Sequence, residues 1–486
     1  MSKRPLSPAA SGPPLKRLHH EVARPEPRLI LNFDSSLYDE LVVHIFSYLT
    51  AVELCTVHTC NRHWARLAQD NQLWKALFIR EFGTRLRGKG ANPPQHDRHT
   101  KPLPTRAPQH KEVDWKWMYR ISSNWRTGHC VVHDLSSKED ESDLDLLLPA
   151  PTILAGDLTF TAPSQLSREP KVKVHKRSRE SLSLRSRIFP SGANVMITCM
   201  AIDQSSAATN QTRVAVFYST GAFSTFSVAT SGTELEVYIP PTPGERTSPI
   251  QQAAYHHPFL VTLSATSTLS LYDVIPGKIK HRQTLSSFSS YPPNSLVLSS
   301  PSQNSFRLLL SYSTPVYPAH WSVGMVELMI SATSSTVSSS RNIRAFELPF
   351  TWLSGESMQA SVDQWNRKLR HVVATDTDGK WVVIAGADNN NIQVYRLRTK
   401  ASPGSLTFVR TLHGHADRLA SLSVADGRCV SLGDGGEVWI WDLERGWGVQ
   451  VGGQLVGSGS RSHVVFDDRR ILCIGSRGVE ERRFDI

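Results

Sequence analysis

Hydrophobic and polar positions divide this chain into two textures. In DSSLYDELVVHIFSYL, residues 34–49, Leu37, Leu41, Val42, Ile45, Phe46 and Leu49 recur at helical spacing behind Asp34, Ser35 and Ser36, which predict an N-cap. Shorter helical patterns follow: AVELCTVHTC with Leu54 and Val57, then NRHWARLA with Trp64, Leu67 and Ala68. NQLWKALFIREFG adds Leu73, Trp74, Leu77, Phe78 and Phe82, with Gly83 as a stop. Helices this short are marginal alone in water, and residues 34–83 are too few for a robust independent core. Their apolar faces therefore call for an outside surface.

Residues 84–112 read as a flexible, proline-rich basic insertion, and a linker helix is predicted over 113–127 from Trp117, Met118, Ile121 and Trp125. Beyond Gly128 short β-branched and aromatic runs alternate with turn residues. The clearest is RTLHGHADRLASLSVADGRCVSLGDGGEVWIWDL, 410–443, where Gly414-His415 is followed by Trp441-Asp442. That spacing is the signature of one four-stranded propeller blade. Weaker copies surround Tyr395, Tyr272-Asp273 and Phe484-Asp485, and two degraded ones cover 212–228 and 306–330. With an ill-defined unit at 150–190, these predict an all-β propeller of seven blades over 128–486. In a well-formed blade His415, Ser431 and Trp441 form a hydrogen-bonded chain with an Asp of the following turn, for which Asp434 is nearest. These residues and Asp442 are read as structural. The last unit supplies three strands, so GHCVVHDL, 128–135, is expected to complete its sheet.

Composition narrows the class of protein. The chain has 486 residues, 40% hydrophobic, enough for a large core and more than one domain. Its six cysteines form no C-x-x-C pair, which fits a reduced intracellular chain without a zinc site; Cys55 and Cys60 are expected to be core. The opening residues are too polar for a secretory signal, and no run of 18 apolar residues exists to span a membrane. Cytoplasm, nucleus or both are the expected compartments. Residues 1–33 read as a disordered basic tail, although Lys3-Arg4 and Lys16-Arg17 also fit a bipartite nuclear import signal. The net charge of +11 is concentrated over 80–126 and 168–187, both read as solvated loops. Neither has the aromatic framework of an RNA-binding surface, and nucleic acid is not an expected partner.

No catalytic motif stands out. GTRLRGK, 83–89, fits G-x-x-x-x-G-K, but Gly90 replaces the Ser/Thr that would hold Mg²⁺, and a helix precedes the loop where a strand is needed. Nothing in the sequence calls for a metal or another cofactor. KEDESDLD, 138–145, and HKRSRESLSLRSR, 175–187, read as solvated loops or as phosphorylation segments.

The 34–83 segment resembles an F-box. The matching residues are Leu37, Glu40, Leu41, Ile45, Tyr48, Leu49, Leu54, Val57, Trp64, Leu67, Leu73 and Trp74, with Tyr38 where the family has proline. Together with the blade signature, the chain looks like an F-box/WD-repeat protein: an all-α F-box module followed by an all-β WD-type propeller. The resemblance implies that Leu37, Leu41, Ile45, Leu49 and Leu54 meet a Skp-family adaptor, which bridges to a cullin. Trp64, Leu67, Leu73 and Trp74 would form the F-box core. The propeller would hold a protein substrate for ubiquitination, the chain itself being non-catalytic. A scaffold that directs no degradation is the alternative. Some relatives bind phosphorylated peptides through propeller arginines, but the degraded repeats assign no Arg here to that role.

Overall fold

A computed structural model describes residues 37–83, 101, 114–135 and 151–486, the last stretch without 164, 177–180, 190–193, 206–211, 229–231, 241–247, 287–290, 292–293, 303, 317–318, 346–361, 364, 388–389, 399–404, 453–461 and 476–477. The basic tail, the insertion apart from Lys101, and the acidic run 138–145 lie outside the described residues. The chain divides into two compact units, residues 1–77 and 78–486.

The first unit contains α1 (Asp39–Phe46), α2 (Ala51–Cys60), α3 (Arg62–Ala68) and the start of α4 (Asn71–Phe82). The expected cap at Asp34–Ser36 lies outside the described residues. Helix α1 begins instead behind Tyr38, without a side-chain cap, and Asp39 and Glu40 place negative charge in its first turn. Helix α2 has a full capping box: Glu53 N donates to Thr50 Oγ1 at 3.4 Å, and Thr50 N donates to Glu53 Oε2 at 2.7 Å. Asn61 caps α3 by accepting from Trp64 N at 2.7 Å. The buried side chains are Val42, Phe46, Leu54, Leu67, Ala68, Leu73, Trp74 and Leu77. Trp74 Nε1 donates to Ala68 O at 2.8 Å, and Phe46 meets Trp64 edge-on at 5.8 Å. Cys55 and Cys60 are exposed rather than core, because Leu54 takes the inward arc of α2.

The second unit is a seven-bladed propeller of antiparallel four-stranded sheets. Strand β1 (Val131–Asp134) comes first in the chain but belongs to the last blade. Six blades follow in order: β2–β5 (152–185), β6–β9 (197–238), β10–β13 (250–286), β14–β17 (294–344), β18–β21 (372–412) and β22–β25 (419–451). The seventh contains β26 (His463–Phe466), β27 (Arg470–Gly475) and β28 (Gly478–Arg483), with β1 as its outer strand. Val131 pairs with Arg483 and Asp134 with Glu480, so the sheet edge left by three strands is filled. First strands of successive blades neighbour one another, and β2 meets β26 to close the ring. Apolar clusters fill the spaces between blades; Trp381, Val383, Val424, Cys429 and Trp441 share one between the fifth and sixth.

The basic run 168–187, read from sequence as loop, supplies the two outer strands of the first blade, Lys171–Lys176 and Ser181–Arg185. Val172, Val174 and Leu184 turn inward while the polar positions between them face out, a period of two that the charge obscures.

Helix α5 (Trp115–Thr127) is capped by Asp114, whose Oδ1 accepts from Trp117 N at 3.0 Å. It ends at Gly128 with φ +73°, where an added Cβ would stand 2.9 Å from Gln450 O, so only glycine fits. Ile121 and Trp125 enter a cluster with Val430, Val464, Phe466 and Phe484 of the last two blades. Trp125 stacks on Phe484 with ring centroids 4.2 Å apart and donates from Nε1 to Asp468 O at 2.8 Å. The helix is thus built into the propeller core rather than suspended as a free linker. On its other side Trp115 and Tyr119 meet Phe78 and Phe82 at 5.3 and 5.4 Å. Tyr119 Oη donates to Glu81 Oε1 at 2.8 Å, and Arg126 pairs with the same carboxylate at 3.2 Å.

Candidate protein-interaction site

The hydrophobic arc of α1 is wider than the module's interior can use. Val42 is 0% exposed and Phe46 buried, but Leu41 is 50% and Ile45 44% exposed on the other side of the same arc. Tyr38 just before α1, Tyr48 in the turn after it and Val52 in the first turn of α2 are also exposed. Leu37 and Leu49 are half-buried. Leu54, expected on this face, is 1% exposed in the interior, since helix α2 begins only at Ala51 and points that position inward. Of the expected core residues, Leu67, Leu73 and Trp74 are buried and Trp64 is half-buried. A run of large apolar side chains on one small module marks a surface that a partner would cover. Tyr38 and Tyr48 flank α1 in the sequence, whereas Val52 belongs to the next helix and no spacing from Leu41 or Ile45 marks it.

One edge of this face is polar. Asp39 accepts from Arg66 Nη2 at 2.5 Å and lies 3.3 Å from His63 Nε2, which ties the first turn of α1 to α3. Both partners are partly exposed, so the pair orients the helices more than it stabilises them.

In the sixth blade, β23 (Arg428–Gly433) and β24 (Val438–Asp442) bring the Gly-His and Trp-Asp residues together. His415 Nε2 lies 2.7 Å from Ser431 Oγ, and Trp441 Nε1 donates to the same oxygen at 2.8 Å. The carboxylates facing His415 are Glu437, with Oε2 3.7 Å from Nδ1, and Asp417. Asp434 occupies the β23–β24 turn, its pKa raised by desolvation against the pull of Arg418. Burial depresses the His415 pKa from 6.5 to about 4, with Glu437 and Asp417 opposing. A neutral ring leaves Nε2 to accept from Ser431 and Nδ1–H to face Glu437. Asp442 Oδ1 accepts from Glu444 N and Arg445 N, both at 3.0 Å, and holds the following turn. The chain thus runs through His415, Ser431 and Trp441, with Glu437 and Asp417 rather than Asp434 beside the imidazole. Among the described residues no group of three or more His, Cys, Asp or Glu is placed to hold a metal, and no helix is long and apolar enough to cross a membrane.

Fold and surface together define a helical F-box-like module joined to a β-propeller. The family model described as F-box protein pof12 beta-propeller matches residues 160–470, and the chain belongs to that family. An F-box-like model matches residues 36–80. Among curated relatives, an F-box protein of Saccharomyces cerevisiae is 27% identical over 123 residues, covering 23% of this chain and 19% of the relative. The probable E3 ubiquitin ligase complex SCF subunit sconB of Arthroderma benhamiae is 25% identical over 121 residues, covering 21% and 18%. The chain thus spans about a fifth of the length of these relatives. A crystal structure of the Myceliophteria thermophila Cps50 (Swd1) β-propeller domain superposes with TM-score 0.40 at 11% identity, covering 68% of this chain and 98% of that one.

Proposed function

We propose that this protein is a substrate receptor of a Skp–cullin–F-box ubiquitin ligase. The helical module docks a Skp-family adaptor, and the propeller holds a protein client for ubiquitination by the cullin-borne machinery. The chain does no chemistry itself; it raises the effective concentration of a client lysine near the charged conjugating enzyme. The observation that carries this reading is the outward apolar face of Tyr38, Leu41, Ile45, Tyr48 and Val52 on an F-box-like module. Burying such side chains contributes ~1.5–3 kcal/mol each for full burial, offset by the cost of association. The names of the partial relatives, which include an SCF subunit, point the same way.

The test is capture of purified Skp-family adaptor by the full chain. Replacing Leu41 and Ile45 together with Ala removes outward surface only, so adaptor capture should fall at least tenfold while the melting transition of the protein stays in place. Undiminished capture by the double variant would refute the docking face.

A further inference from the structure

Lys101 is a point at which the proline-rich insertion meets the propeller. Its backbone N–H donates to Asp378 O at 2.6 Å, and the residue is half-buried. Asp378 directly follows β18 (Val372–Thr377), the first strand of the fifth blade. Its own carboxyl accepts from Lys380 N at 2.9 Å, Trp381 N at 2.8 Å and Gly427 N at 2.7 Å, so the turn that presents this carbonyl is fixed to both the fifth and sixth blades. Desolvation lowers the pKa of His463 in β26; Asp376 opposes that shift and Lys101 adds to it. Lys101 thus meets the fifth blade with its backbone and acts on the seventh with its charge. The sixth blade stands between them, and the first strands of all three converge around the propeller axis.

The seat is built without Lys101. Asp376 Oδ2 accepts from Val424 N at 2.6 Å, and its Oδ1 from Thr377 N at 2.8 Å and from Ser295 Oγ, which ties the fourth, fifth and sixth blades together. Ser421 Oγ lies 3.4 Å from His463 Nδ1 and carries the polar chain on to the seventh. A guest therefore finds a backbone acceptor, Asp378 O, two residues along from the Asp376 carboxylate. An extended segment brings a backbone N–H to such a pair, and a Lys in it brings the cation. The insertion has both. Residues 84–112 carry seven Lys/Arg against two Asp/Glu, and Pro102 disfavours a helical backbone at Lys101.

We propose that this axial seat is a docking site for an extended lysine-bearing segment, and that its occupant is the chain's own insertion, held at Lys101. Any other lysine-bearing segment must then displace Lys101 to bind there. The seat needs neither adaptor nor client, so it stands or falls separately from the ligase reading.

The probe is a fluorescein-labelled peptide copying residues 96–106, HDRHTKPLPTR, titrated with the full chain and followed by anisotropy. Lys101→Pro removes the N–H and the ammonium together and so empties the seat. This variant should bind the peptide saturably. Wild type should bind it at least tenfold more weakly, because its own segment competes at high effective concentration. The same peptide with its Lys replaced by Glu should bind the variant at least tenfold more weakly than the native copy. A second readout needs no peptide. The chain has 19 histidines, so His463→Gln identifies the His463 ring signals, and Lys101→Met should raise the pKa they report, since no ammonium then opposes protonation. Equal binding by wild type and Lys101→Pro would show that the insertion does not occupy the seat. No binding by either would show that there is no seat, and an unmoved His463 that Lys101 does not reach it. Each of these results overturns the proposal.

Discussion

Ser431 stands between His415 and Trp441, and its single hydroxyl serves both. Its oxygen accepts the indole proton, and its own proton goes to a neutral imidazole. Replacing it with Ala strands two buried partners, which should lower stability by ~1–3 kcal/mol, measured by urea unfolding. The same chain makes the sixth blade sensitive to acid. The unfolded imidazole takes up a proton near pH 6.5, while the folded one resists until about pH 4. Folded stability is therefore fully present above pH 6.5 and is lost as pH falls toward 4. Asp467 acts in the opposite sense: burial pushes it up to about 6, against Arg470, so its folded form binds a proton that the unfolded carboxyl gives up. Comparing wild type with His415→Gln cancels the Asp467 contribution. The variant should lose less melting temperature between pH 7 and 5, and an unchanged slope would show that His415 does not titrate on unfolding in this range. Gly448 shows how tightly the motif is packed, since an added Cβ would overlap the Trp441 ring.

At the scale of elements, α5 and β1 act together as the clasp of the ring. Phe484 ends the last blade where the third, fifth and sixth carry Tyr272, Tyr395 and Trp441, and here the aromatic stacks on Trp125 of α5. Pro at Ile121 removes a helical hydrogen bond, at a cost of ~3 kcal/mol or more, and does so inside the cluster shared by the last two blades. The expected result is a lower melting temperature for the propeller, not merely a looser joint. Starting the protein at residue 140 removes both α5 and β1 and exposes the edge of β28, so it should aggregate or melt far lower than a version starting at 113. Equal stability of the two would mean that the ring does not depend on its clasp. The β1 half of the clasp was legible in the sequence because GHCVVHDL is a spare strand and the final unit lacks one, whereas α5 read only as a linker helix. The sixth blade was legible because Gly414-His415, two turns and Trp441-Asp442 keep their spacing. The first blade was legible only as an ill-defined unit at 150–190, because basic and polar residues alternate with Val172, Val174 and Leu184 and no aromatic marks its third strand. The F-box surface was half legible. Leu41 and Val42 are both apolar and adjacent, and periodicity alone cannot say which faces the interior and which a partner.

For the whole molecule, the decisive property is that one chain carries both a propeller and an F-box-like module with an outward apolar face. In the proposed receptor role neither half is sufficient. Residues 1–83 alone would occupy the adaptor and deliver nothing, and the propeller alone would hold a client that never meets the conjugating enzyme. The gain from joining them is effective concentration, which for short connections reaches the order of millimolar. In a reconstituted ligase, with a client found by co-purification on the propeller, the intact chain should therefore support client ubiquitination and the two halves added separately should not. The Leu41→Ala, Ile45→Ala double variant should still bind the client but lose its modification, because those side chains lie on the outward face and contribute nothing to the propeller core. An excess of the isolated helical module should inhibit the intact chain by competing for the adaptor, and the variant module should not. If the intact chain binds adaptor and client together and the client is never modified, the protein is a scaffold that uses the F-box-like face for assembly, and the ligase role is excluded.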